Sequence, residues 1–130
     1  MSAETRFVLD ASALLVYLQR ESGYERVREA LAQGAAMSTV NLAEVYAKAV
    51  DRNLPLGEIA GRLEALGLNV VSFTNEDARE SAMLYPKARR LGLSLGDRAC
   101  LALGVRLGLP ILSADRAWKG FPGVSLEMVR

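Results

Sequence analysis

Short apolar runs alternate along this chain with longer stretches of helical period, the pattern of an α/β domain around a central, mostly parallel sheet. Phe7-Val8-Leu9 predicts a first buried strand, residues 12–20 and 24–33 predict helices ending near Gly23 and Gly34, and residues 36–38 predict a second strand. A helix follows over about 40–52, and another starts at Leu54-Pro55-Leu56 and stops at Gly67. Residues 69–73 predict a third strand. Thr74-Asn75-Glu76-Asp77 fits a capping box opening the next helix, which Pro86 kinks or divides before Arg90. Residues 96–108 predict a strong helix, Pro110-Ile111-Leu112 a buried strand and residues 124–128 an edge strand. With no linker or repeat, residues 1–130 read as a single domain, large enough to bury ~70% of its unfolded surface without disulfide or metal staples.

Winding residues 40–52 at 100° per residue puts Val40, Leu42, Ala43, Val45, Tyr46, Ala47, Ala49 and Val50 on one wide apolar arc, which predicts a helix packed on two sides. Asn41, Glu44, Lys48, Asp51 and Arg52 share the narrow polar strip. A solvated strip with a Glu44–Lys48 pair accounts for that pattern, and so does a strip lining a crevice.

Composition removes whole classes of chemistry. There is no histidine, so Ser-His-Asp and Cys-His mechanisms and His-ligated zinc are excluded. The lone Cys100 forms no internal disulfide, which fits a reducing compartment. Arg6 and Asp10 interrupt the only apolar stretch of residues 1–18, so it does not read as a signal peptide, and no run approaches the ~20 residues of a membrane span. A cytoplasmic protein with no membrane contact is expected. Counting Gly and leaving out Tyr, 73 of 130 residues are apolar, above the ~45–50% of ordinary soluble domains, and part of that excess is expected to cover a partner surface.

Three of the five aspartates fall at strand-to-helix junctions: Asp10 after the first strand, Asp97 at the head of the 96–108 helix, and Asp115 after Ile111-Leu112-Ser113-Ala114. In an open parallel sheet the ligand crevice lies beyond the carboxyl ends of the strands. If the strands before Asp10 and Asp115 are neighbours, their backbones lie ~4.8 Å apart and the two carboxylates can share a cation. Taken singly, each aspartate is explained as a helix cap. Asp97, however, projects on the same side as Cys100, Leu101, Gly104 and Gly108, an apolar face that turns inward. Together Asp10, Glu44, Asp97 and Asp115 can form an all-oxygen cluster. Close carboxylates repel unless a cation neutralises them, and such hard ligands suit Mg²⁺ or Mn²⁺. That combination serves metal-dependent phosphodiester chemistry.

Four segments in order, Phe7-Val8-Leu9-Asp10-Ala11-Ser12-Ala13-Leu14, Ser38-Thr39-Val40-Asn41-Leu42-Ala43-Glu44-Val45, Leu95-Gly96-Asp97-Arg98-Ala99-Cys100-Leu101-Ala102 and Ile111-Leu112-Ser113-Ala114-Asp115-Arg116, resemble the motifs of PIN-domain ribonucleases, and above all the VapC-type toxins of bacterial toxin–antitoxin pairs. The resemblance covers essentially the whole chain. It implies a PIN-like three-layer sandwich and an endoribonuclease using Mg²⁺ or Mn²⁺, with Asp10 and Asp97 holding the principal metal and Glu44 and Asp115 completing the site directly or through water. Ser12, Ser113 and Asn41 become supporting groups behind the acids; position 113 is commonly Thr in the family. It also implies a homodimer, a small VapB-like antitoxin whose tail covers the acidic cleft, and a structured RNA substrate of the tRNA or rRNA class.

The net charge of +1 taken alone argues against nucleic acid. Resolved along the chain, residues 1–85 carry 8 basic and 12 acidic side chains and residues 86–130 carry 8 and 3, so a −4 segment precedes a +5 segment. Arg98, Arg116 and Lys119 adjoin the acids in sequence and are expected at phosphate, Arg98 and Arg116 as bidentate contacts. For Arg89 and Arg90, with Lys87, an RNA contact and a basic helix end complementing its dipole are equally good accounts. Trp118 can stack a base, although a core role suits its spacing better. The competing reading is a non-catalytic regulatory or RNA-binding α/β module, concretely a receiver-like one. It requires a lysine late in the chain at a strand end, and only Lys119 follows Lys87.

Overall fold

The structure, a computed structural model, describes residues 4–130. Five strands form one wholly parallel sheet: β1 (Phe7–Leu9), β2 (Ala35–Ser38), β3 (Asn69–Val71), β4 (Ile111–Ser113) and β5 (Leu126–Met128), in the order β3-β2-β1-β4-β5. Among the described residues seven α-helices connect them: α1 (Ala11–Leu18), α2 (Tyr24–Gln33), α3 (Thr39–Asp51), α4 (Leu56–Ala65), α5 (Asn75–Met83), α6 (Tyr85–Arg90) and α7 (Leu95–Leu107). A 3₁₀ turn, Arg116–Trp118, follows β4.

Strand alternation separates the two faces of the sheet. Leu9 and Leu112, paired in register, join Ala13, Leu14, Val27, Leu31, Val45, Ile59 and Leu63 in one buried cluster. Val8 and Ile111, also paired, join Ala88, Leu93, Cys100, Leu101, Trp118 and Phe121 in another. The result is the expected three-layer sandwich. The chain runs outward from β1 through β2 to β3 and then returns to β4 on the other side of β1, so the strand order reverses between β1 and β4. In open parallel sheets such a reversal is where a ligand crevice forms, beyond the carboxyl ends of the strands, and Asp10 and Asp115 follow those ends.

Local sequence explains several boundaries. Asp10 caps α1, one residue earlier than expected, by accepting from the Ala13 N–H at 2.8 Å. Thr74 and Asp77 form the expected capping box, and Pro86 divides α5 from α6. Gly104 lets α7 press on the sheet, since a Cβ there would overlap the Ile111 side chain.

One expectation needs correction. The apolar arc of α3 is not covered on two sides in the described residues: Asn41, Val45 and Ala49 are buried at i,i+4 spacing, whereas Ala43 and Ala47 are exposed and Val50 is 58% exposed. Asn41 is polar yet buried, because β2 and α7 pack on its side of the helix.

Candidate functional site

Asp10 sits at the end of the central strand, 3% exposed. Its Oδ1 accepts from the Ala13 N–H, both carboxylate oxygens lie 2.8 Å from the Ser12 hydroxyl that donates to them, and Oδ2 accepts from the Ser113 hydroxyl at 2.6 Å. Ser12 Oγ in turn accepts from the Ala114 N–H at 2.9 Å, and Ser113 Oγ accepts from the Asp115 N–H at 3.0 Å. The serines expected behind the acids therefore bind Asp10 directly and lace the end of β1 to the loop after β4. Burial outweighs these hydrogen bonds and, with the nearby Asp97 charge, raises the Asp10 pKa to about 6. Among the described residues, no Lys or Arg forms an ion pair with Asp10, Glu44, Asp97 or Asp115.

Glu44 reaches the same region from α3. Asn41, one turn earlier, donates from Nδ2 to Glu44 Oε1 and to the Gly96 carbonyl, each at 2.9 Å. A Cβ at position 96 would collide with the Glu44 carboxylate, so the glycine before Asp97 makes room for it. Asp97 opens α7 in a capping box that sequence reading missed although Ser94-x-x-Asp97 spells it: Asp97 Oδ2 accepts from the Ser94 N–H at 2.8 Å, and Ser94 Oγ accepts from the Asp97 N–H at 3.2 Å. Beneath lies Cys100, fully buried, whose thiol is pushed well up by burial and then by the charges of Asp10, Asp97 and Glu44. Three of the four expected acids thus share one neighbourhood.

Asp115 is not among the charges that act on the Cys100 thiol. It is exposed, and its Oδ1 caps the 3₁₀ turn by accepting from the Ala117 N–H at 3.0 Å. Its main-chain N–H connects it to Asp10 through Ser113. Among the described residues no three Asp, Glu, Cys or His side chains form a group that could hold a metal ion as they stand. The donor set nevertheless suits a hard divalent cation: it is all oxygen, lacks a protein cation, and includes the buried Asn41 Oδ1, which has no hydrogen-bond partner.

The expected phosphate contacts divide. Arg116, Lys119, Arg89 and Arg90 are exposed. Arg98 is not available beside Asp97, as sequence adjacency suggested, because successive helix residues point about 100° apart. Its Nη1 donates to the Ser81 carbonyl at 3.2 Å, and its guanidinium lies 5.1 Å from the centroid of the Tyr85 ring. Trp118 is wholly buried and belongs to the core. Lys119 ends the 3₁₀ turn and does not stand at a strand end, contrary to what a receiver-like module requires.

Comparison with known proteins accords with this geometry. The family model described as PIN domain matches residues 7–123. Among solved structures, the DNA-bound VapBC from Salmonella typhimurium superposes with a TM-score of 0.75 at 17% identity, covering 98% of this chain and 100% of that one. A toxin–antitoxin complex from Klebsiella pneumoniae gives 0.73 at 19%, covering 95% and 97%. VapBC-5 from Mycobacterium tuberculosis gives 0.60 at 23%, covering 98% and 99%. At these identities the likeness is one of fold. No curated protein sequence matches the chain.

Proposed function

The chain belongs to the PIN-domain family, and from that premise we propose that it is a metal-dependent endoribonuclease of the VapC toxin type, a single domain acting in the cytoplasm on structured RNA of the tRNA or rRNA class. The observation that carries this reading is Asp10: a buried carboxylate with a raised pKa, at the strand-order reversal, sharing the surroundings of Cys100 with Glu44 and Asp97 and having no protein cation.

Asp10 and Asp97 would hold Mg²⁺ or Mn²⁺, with Glu44 and Asp115 completing its shell directly or through water. Bound there, the ion would polarise a phosphoryl oxygen and make water acidic enough to attack at neutral pH. The chain's own residues do the positioning. Ser12, Ser113 and the Ala13 N–H fix both Asp10 oxygens, Asn41 fixes Glu44 against Gly96, and the Ser94 N–H fixes Asp97. These bonds hold each acid at its place in the fold, and closing on a cation would need the side chains to turn toward one another while the strands stay in register. Arg116 and Lys119, exposed beyond β4, supply positive charge for the flanking phosphates. Hydrolysis would leave a 5′-phosphate and a 3′-hydroxyl.

The fold shared with toxin–antitoxin complexes supports a small VapB-like antitoxin as the partner that covers the acidic cleft. Exposed Val50, Leu54, Leu56, Val105 and Leu107 supply apolar surface for that partner or for a homodimer. No helix among the described residues is long and apolar enough to cross a membrane. The test is direct: purified protein should cleave total cellular RNA at discrete sites with Mg²⁺ or Mn²⁺ and should lose that activity in EDTA. Cleavage undiminished by EDTA contradicts the metal dependence.

A further inference from the structure

We propose that Tyr85 is a base-stacking platform that, with Arg89 and Arg90, grips a single-stranded stretch of RNA. Tyr85 opens α6 immediately after the break at Leu84, and the residue is 48% exposed even with the Arg98 guanidinium 5.1 Å from the ring centroid. Tyr85, Pro86, Arg89 and Arg90 line an open cleft of about 430 Å³. Arg98 Nη1 donates to the Ser81 carbonyl at 3.2 Å, which holds the guanidinium over the ring. Arg98 follows Asp97 on α7, so the helix that carries one expected acid also carries the contact to the ring.

Charge selects the ligand. From Ser81 to Gly96 there is no acidic residue, while Lys87, Arg89 and Arg90 are all present and exposed. An exposed aromatic ring flanked by arginines suits an unpaired base with its phosphates, because every base has a face to stack and the cations neutralise the backbone. An acid-free cleft with two guanidiniums fits this ligand better than an apolar protein segment. It also gives the exposed aromatic role, expected of Trp118 as one alternative, to a residue that is accessible. The RNA ligand rests on the nuclease reading given above.

The test is binding of a short fluorescein-labelled oligoadenylate by the full chain in EDTA, followed by anisotropy, so that no cleavage is involved. Tyr85→Ala is expected to weaken binding about tenfold, while Tyr85→Phe stays within about twofold of wild type. Tyr85→Trp adds a fluorophore to a chain whose only tryptophan is buried, and its emission should be quenched by the oligonucleotide. Quenching therefore reports stacking even if Tyr85→Ala perturbs the Arg98 contact. Three results overturn the proposal: no binding by wild type, wild-type affinity in Tyr85→Ala, or Tyr85→Trp emission indifferent to RNA. If ring-dependent binding holds but wild type does not cleave RNA with Mg²⁺, the nuclease reading falls and the subsite stands; cleavage with ring-independent binding gives the reverse.

Discussion

The Ser113 hydroxyl donates to Asp10 Oδ2 at 2.6 Å, joining the ends of β4 and β1 at the point where the strand order reverses. Ser113 is wholly buried and also holds the Asp115 main chain, so one hydroxyl sets the position of two expected acids. Removing it in Ser113→Ala leaves a buried carboxylate one donor short. A hydrogen bond to a charged group contributes about 1.5–3 kcal/mol. Urea unfolding of metal-free protein at neutral pH should show a loss of that order, and RNA cleavage should fall by at least tenfold. Ser113→Thr restores the hydroxyl and should recover both.

Metal binding should compete with a proton on Asp10. The folded-state pKa is raised, to about 6, so the neutral acid predominates below that value and the carboxylate above it. Affinity for Mg²⁺ or Mn²⁺ should therefore weaken by about tenfold per unit as pH falls below 6 and level off above it. Calorimetric titration at several pH values checks this, and a flat profile between pH 5 and 7 contradicts it.

Gly96→Ala separates helix propensity from the site. In an exposed helix the change stabilises by about 0.5–1 kcal/mol. Here the added methyl meets the Glu44 carboxylate and must displace it, breaking its contact with Asn41. The variant should fold with a changed melting temperature of either sign and should bind metal more weakly than wild type. Metal affinity equal to wild type would show that Glu44 takes no part.

Away from the site, Asp77 governs acid stability. Burial raises its pKa, but the Thr74 N–H and the Arg106 guanidinium, at 2.9 Å, outweigh burial and hold it below the ordinary carboxylate value. A depressed folded pKa gives stability that is present above about pH 4 and is lost as pH falls through the folded value. Asp77→Asn should cost about 1–3 kcal/mol at pH 7, and its difference from wild type should shrink as the acid limb is entered. Paired melting curves between pH 2.5 and 7 check the sign.

Much of this was legible in the sequence because its signals are local. Asp10, Thr74, Asp77 and Pro86 each act within three residues, and buried strands betray themselves by short apolar runs. The four motifs carried the family through their order. What stayed hidden depends on direction. Arg98 adjoins Asp97 in sequence but points to Tyr85, Asn41 reads as polar surface but is buried between α3 and α7, and Asp115 lies in the expected loop while its carboxylate caps the next turn. Arg106 pairs with Asp77 across 29 positions, a separation at which no periodicity is informative.

The central claim is that Asp97 acts through its charge. Asn at this position keeps an oxygen for the Ser94 N–H, so Asp97→Asn preserves the helix cap while removing the negative charge. Cleavage of cellular RNA with Mg²⁺, measured beside the melting temperature, should be abolished in Asp97→Asn with folding unchanged. Wild-type cleavage by a folded Asp97→Asn would contradict the account.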